Sequence, residues 1–247
     1  MRESLRLNRF LATAGVASRR HCDELIRAGR IEVNGQTVSQ LGIRVDPTAD
    51  DVRFDGTQVR LPGGQWTLVL NKPREVLVAA TDPRGRTTVM DLLADAPGRV
   101  FPVGRLDYRS EGLLLFTNDG DLAYRLTHPS FKVEKTYHVD VEGAVPRDVI
   151  GKLERGVVLD DGPTQPTSTR ILRRRKTRTT LEMELKEGRK RQIRRMLALF
   201  GLEVTRLRRV RLGPLRLGEL PPGKWRALDA DEVRALRRAV ALEDLQP

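Results

Sequence analysis

Gly104-Arg105-Leu106-Asp107 places a carboxylate two residues after an arginine and shortly ahead of the apolar run at residues 113–116. Such a carboxylate can act as a nucleophile or as a general base. An aspartate in a turn can equally hydrogen-bond its own backbone, so its neighbours in space decide the matter. Two distant residues are candidates. Tyr137 falls in the alternating segment 131–141, on the face shared by Val133, Val139 and Val141, which directs its ring to the buried side of a strand. Arg194 falls in segment 189–200, where Ile193, Met196, Leu197 and Phe200 recur at helical spacing and leave the arginine at the border of the apolar stripe. Burying a lone Asp or a lone Arg is costly. An Arg194–Asp107 pair would satisfy both and hold the carboxylate ionised and aimed. A second acidic cluster, Asp119-Gly120-Asp121, would suit a metal-dependent nuclease, but it fits a turn and helix N-cap better.

The composition says what such a site would meet. The 247 residues include 45 Lys+Arg against 33 Asp+Glu, a formal charge of +12, and that excess points to a polyanion, foremost a nucleic acid. Most of the basic residues are arginines, whose planar forks grip phosphate through two bonds at once. One cysteine, Cys22, forms no internal disulfide, and three histidines beside it are too few for a zinc cluster. No glycine-rich phosphate loop or dinucleotide fingerprint is present, and a magnesium held by carboxylates is left open. The first ten residues lack the apolar core of a signal peptide, and no stretch approaches the roughly 18 apolar residues of a membrane span. A cytoplasmic protein with no membrane partner is expected.

Residues 1–61 read as a small unit. Leu7, Phe10, Leu11 and Ala14 form one helical stripe ended by Gly15; Ser18 caps a second helix, with Leu25 and Ile26 on its inner face and Gly29 at its end. Asn34-Gly35, between Ile31-Glu32-Val33 and Gln36-Thr37-Val38, predicts a type I′ hairpin. Short strands at 43–45 and 52–54 would complete a small sheet. Arginines crowd this unit, and Arg20 and Arg27, seven apart, share a helix face.

Leu61-Pro62-Gly63-Gly64 interrupts both periodicities and reads as a linker. Beyond it, residues 66–247 mix strands and helices without regular βα alternation. The class is α+β: a small N-terminal α/β domain, then a larger, mainly antiparallel-sheet domain. The clearest elements are strands at 67–70, 131–141 and 178–185, an amphipathic helix over 189–200 and a last helix over 231–242.

The segment RLNRFLATAGVASRRHCDELIRAGRIEVNGQTV resembles the S-four-type RNA-binding domain. The resemblance implies that Ser18, Arg19, Arg20, Arg27 and Arg30 face RNA. Four ordered motifs in the larger unit, LNKP with DPRGR, GRLDYRSEGLLLFTNDGDLAYRLTHP, EKTYHV and KEGRKRQIRRML, resemble ribosomal RNA pseudouridine synthases of the RsuA/RluB type, closer to the large-subunit enzymes. That family detaches a uracil from its ribose, turns it and rejoins it through carbon 5, an isomerisation with no redox change or group donor, so the resemblance implies that no cofactor is needed. The resemblance implies that Asp107 is the catalytic aspartate, that Tyr137 stacks on the flipped uracil and helps remove the carbon-5 proton, that Arg194 is the basic partner of Asp107, and that Arg105 replaces the extruded base. It also implies a partner, ribosomal RNA or an assembly intermediate, and a working monomer. The competing expectation is an RNA-binding assembly factor whose larger domain has lost catalysis; the intact set of Asp107, Tyr137 and Arg194 argues against it.

Overall fold

The computed structural model describes residues 4–242. Its contacts divide the chain into two units, residues 1–65 and 66–247.

In the first unit the helices Leu7–Thr13 and Arg19–Arg27 pack their apolar stripes on a sheet built from Ile31–Val33, Gln36–Val38, Val52–Phe54 and Thr57–Gln58. The Ser18 hydroxyl accepts the His21 amide at 3.3 Å and so caps the second helix. Asn34 and Gly35 both adopt positive φ, +52° and +79°, as a type I′ turn requires. One expectation is corrected: Arg44–Val45 does not join this sheet but pairs with Leu5–Arg6. The chain loops out through Gly42, at φ +86°, and delivers Val45 to the underside of the first helix, where it is fully buried.

The second unit is organised by a nine-stranded sheet. Its main path runs Ser168–Arg174, Arg178–Leu185, Lys135–Glu142, Val204–Leu212, Glu111–Thr117, Thr67–Lys72 and Trp225–Ala227. Phe101–Val103 also pairs with Glu111–Thr117, and Leu215–Arg216 with Val204–Leu212. Among the described residues every strand pairing within this sheet is antiparallel except one: Val204–Leu212 meets Glu111–Thr117 in parallel, through Arg208 and Arg209 opposite Glu111 and Gly112. Two antiparallel halves therefore join at a parallel seam. Gly112, at φ +101°, is what permits the approach, because a Cβ there would stand 2.2 Å from the Arg209 carbonyl oxygen. Arg209 is itself buried and donates Nε to the Leu113 carbonyl at 2.7 Å, a further tie across the seam.

The continuous apolar run 113–116 marks a strand buried on both faces. Leu113 and Leu115 enter one core cluster, Leu114 and Phe116 another, and all four are fully buried. The strand Arg178–Leu185 instead alternates, with Thr179, Leu181, Met183 and Leu185 inward. The basic helix is shorter than its apolar periodicity predicts, running Gln192–Ala198. Arg191 takes a left-handed φ of +51°, and the Gln192 side chain accepts the Arg189 amide at 3.0 Å, so residues 189–191 form a turn. The last helix, Ala230–Ala239, starts at a capping box between Asp229 and Glu232.

Candidate active site

Asp107 lies half-buried in the loop between Phe101–Val103 and Glu111–Thr117, one strand end away from the seam. Gly104, at φ +74°, turns the chain into this loop, and the buried Leu106 anchors it in the core. The turn bond is made by the Asp107 main chain, whose carbonyl accepts the Ser110 amide at 2.9 Å. Among the described residues the carboxylate itself has no hydrogen-bond or ion-pair partner. The turn-residue explanation of this aspartate therefore fails: its side chain is not spent on its own backbone.

Tyr137 projects from the neighbouring half of the sheet. It is half-buried and packs against both core clusters that meet there, the one containing Leu181 and Met183 and the one containing Leu106 and Leu114. Arg105, Asp107 and Tyr137 line a single open cleft of about 480 Å³. The 189–191 turn forms a basic wall of this cleft. One other carboxylate lines it, that of Glu187, and its oxygens are occupied: Oε1 accepts from Gln165 N at 3.0 Å and Gln192 Nε2 at 2.6 Å, and Oε2 from Arg189 Nε at 3.3 Å. Asp107 is thus the carboxylate left open to a ligand.

Arg194 stands beside the cleft and does not form the expected ion pair with Asp107. Its Nη1 donates to the Val204 carbonyl at 2.7 Å, while Nε and Nη2 are buried with no partner. The late start of the helix and the nearby carbonyl explain the difference: one end of the guanidinium is claimed by the strand that begins at Val204. The link to Asp107 is through the field. Burial pushes Arg194 below the usual arginine range, Arg191, Arg74 and Arg109 push the same way, and Asp107 opposes them. Arg74, Arg109, Arg191 and Arg194 thus share the neighbourhood of one carboxylate, a positive excess that suits a phosphate-bearing ligand.

Lys72 escaped the sequence reading as a site residue. It ends the strand Thr67–Lys72 fully buried, and Nζ donates to the carbonyls of Pro73 and Ser110, each at 2.9 Å, with the Tyr108 carbonyl at 3.5 Å. Burial pushes its pKa down to about 8, while Asp107 and Glu111 pull it upward. A cation thus lies beneath the loop that carries Asp107. Ser110 was missed too; it is buried, lines the cleft, and its Oγ has no partner. The LNKP motif marked the position of Lys72, but no periodicity says that a lysine ending a strand is enclosed.

Asp119, the nuclease candidate, is fully used otherwise. Its Oδ1 caps the helix Gly120–Thr127 by accepting the Asp121 and Leu122 amides, each at 3.0 Å, and its Oδ2 accepts from buried Arg237 at 2.6 Å. In the first unit Arg19, Arg20 and Arg27 are exposed on their helix. Arg30 is exposed but engaged, with Nε 2.9 Å from Asp55 and the guanidinium over the Phe54 ring.

Residues 66–199 match the model of the RNA pseudouridylate synthase family, and residues 5–51 match the S4 domain. The chain is 46% identical over 240 residues to an uncharacterized RNA pseudouridine synthase of Aquifex aeolicus, covering 97% of this chain and 96% of that one. It is 42% identical over 234 residues to the ribosomal large subunit pseudouridine synthase B of Bacillus subtilis, covering 94% and 95%. A solved pseudouridylate synthase crystal structure superposes with a TM-score of 0.68 at 29% identity, over 94% of this chain and all of that one.

Proposed function

The chain belongs to the RNA pseudouridylate synthase family, and on that premise we propose that it converts a uridine of large-subunit ribosomal RNA to pseudouridine, with Asp107 as the reactive carboxylate. The observation that carries this reading is the unengaged carboxylate of Asp107 in one basic cleft with Tyr137. The two relatives named for the large subunit of Bacillus subtilis and Vibrio cholerae ribosomes, each 42% identical, support the choice of RNA.

The reaction breaks the bond between N1 and C1′ of the uridine, rotates the base and forms a bond between C5 and C1′. The hydrogen on C5 leaves as a proton and N1 gains one, so substrate and product are isomers and no electrons are exchanged. Asp107 acts at the ribose. Tyr137, fixed by two core clusters, provides the surface on which the extruded uracil stacks and the oxygen that helps take the C5 proton. Extrusion costs a few kcal/mol; stacking returns about 1–3 kcal/mol. Phosphate contacts from the basic cleft wall supply more. Arg105 fills the space the base vacates, and the half-buried Arg194 orients the Asp107 carboxylate through its field. Arg19, Arg20 and Arg27, with Ser18 and Arg30 at the two ends of the same helix, hold RNA on the first unit. The protein works as a monomer, and the substrate sets its workplace in the cytoplasm. Among the described residues no helix is long and apolar enough to cross a membrane.

Large-subunit ribosomal RNA tritiated at uracil C5 tests the reading. The wild type should release tritium and Asp107→Asn should not. Tight RNA binding without release, on both subunit RNAs and on assembly intermediates, would make the protein a binding factor.

A further inference from the structure

Strand alternation gives the sheet of the second unit a polar face, turned away from the catalytic cleft. On Lys135–Glu142, Tyr137 enters the cleft and His138 the opposite face; on Arg178–Leu185, Leu185 enters the cleft while Glu182 and Glu184 face away; on Val204–Leu212, Leu207 enters the cleft while Arg206 and Arg208 face away. Three depressions of about 490, 320 and 380 Å³ mark this second face, and Arg208 lines all three. Together they make one groove.

The carboxylates that line the groove, Glu219 apart, are matched by arginines. Asp140 pairs with Arg178, Glu182 with Arg170 and Glu184 with Arg211. Arg206 is likewise matched, to Glu111. Four guanidiniums remain without an ion-pair or hydrogen-bond partner among the described residues: Arg173, Arg175, Arg208 and Arg216. Strand order separates Arg173 from Arg208 by three strand spacings, about 14 Å. The groove holds no Trp, Tyr or Phe of the kind that anchors protein partners. Its unmatched charge is positive on balance, four guanidiniums against the one carboxylate of Glu219, and the guanidiniums are forks suited to phosphate.

We propose that this groove binds the sugar-phosphate backbone of a second segment of the substrate RNA while the cleft on the other face holds the target uridine. The proposal rests on ribosomal RNA being the substrate. A short hairpin filling the cleft cannot also reach the opposite face, so the contact belongs to long RNA only. The structure therefore has two RNA surfaces in its catalytic unit, one for chemistry and one for recognising the surrounding fold.

The test compares the wild type with the variant carrying Arg173→Gln, Arg175→Gln, Arg208→Gln and Arg216→Gln, whose altered guanidiniums hold no ion pair or hydrogen bond among the described residues. The substrates are the full-length large-subunit ribosomal RNA transcript and the shortest fragment of it from which the wild type releases tritium. On the full transcript the variant should lose on the order of 10-fold in kcat/KM, through KM, with a shallower salt dependence. On the short fragment the two proteins should be equal. Equal values on both substrates, or equal losses on both, overturn the proposal; Arg208→Lys, which keeps the charge, should retain more binding than Arg208→Gln. If the wild type releases no tritium from any RNA, the assigned reaction fails, and filter binding of the full transcript still decides the groove: an unchanged affinity and salt slope in the variant rejects it.

Discussion

The ammonium of Lys72 donates to the carbonyl oxygen of Ser110 at 2.9 Å, which ties the end of the strand Thr67–Lys72 to the loop carrying Asp107. A second bond at the same length reaches Pro73. Lys72→Met keeps most of the volume but leaves those carbonyls unpaired, at a cost of about 1–3 kcal/mol each. The loop should then lose its setting. A shift of about 1 Å at a reacting group costs on the order of 100-fold, so kcat for tritium release should fall by roughly 10- to 100-fold with little change in KM. Single-turnover kinetics at saturating RNA measure it.

The same lysine makes activity and stability respond to pH in opposite directions. Burial sets its folded pKa at about 8, whereas an unfolded lysine titrates near ~10.4. Between those values the unfolded chain holds the additional proton, so this group's contribution to stability rises with pH across that window. Below about 8 both states are charged and the cost of burying the ammonium is fully present. The cation beneath Asp107 is lost in the same window, so kcat should fall as pH rises through about 8. Lys72→Met should lack both responses, which pH-rate profiles and urea titrations at several pH values would reveal.

Tyr137 offers a separation of ring from hydroxyl. Tyr137→Phe keeps the packing against both core clusters and the stacking surface, so RNA affinity should hold while kcat drops by on the order of 100-fold, the usual size of a proton-transfer contribution. Tyr137→Ala removes the platform as well and should weaken binding by about 1–3 kcal/mol. Dissociation constants measured in an Asp107→Asn background keep binding apart from turnover. Equal affinity for the Ala and Phe variants would remove stacking from the account.

Much of this arrangement is legible in the sequence, and the boundary of what is legible has a physical cause. Tyr137 on its strand face, the Asp119 cap and the Asn34-Gly35 turn follow from period, capping and backbone preference, all local properties. The separation of Arg194 from Asp107 is not local. It depends on the Val204 carbonyl, ten residues on, and on a left-handed Arg191 that shortens the helix. The enclosure of Lys72 is likewise unreadable from its neighbours, because beyond the adjacent Pro73 its partners, Tyr108 and Ser110, lie far along the chain. The parallel seam was hidden for the same reason; its one trace in the sequence is Gly112, whose requirement appears only once Arg209 is placed beside it.

Gly112→Ala probes that seam. The residue sits at φ +101°, and its new Cβ would meet main-chain atoms of Arg209 at 2.2 and 2.8 Å, neither of which belongs to a flexible side chain. Backbone strain and overpacking together should destabilise the second unit by on the order of 3 kcal/mol. The denaturation midpoint should fall accordingly. Activity under folding conditions should fall too, because the loop carrying Asp107 runs directly into the seam. A near-native midpoint would mean that the two halves of the sheet do not depend on this approach.

The arginines of the first unit contribute by charge count, and charge count is read most directly from salt dependence. Arg19, Arg20 and Arg27 are exposed on one short helix, whereas Arg30 is held by Asp55 and Phe54. Each phosphate neutralised releases about 0.7–0.9 of a counterion. Changing Arg19, Arg20 and Arg27 to Gln should therefore flatten the slope of log K against log salt by roughly 2 to 3. Arg30→Gln should change it less and cost some stability instead, because it breaks an internal pair. Tritium release at saturating RNA should be unaffected in either protein, since none of these residues lines the Asp107 cleft. An unchanged slope in the triple variant would remove this helix from the RNA interface.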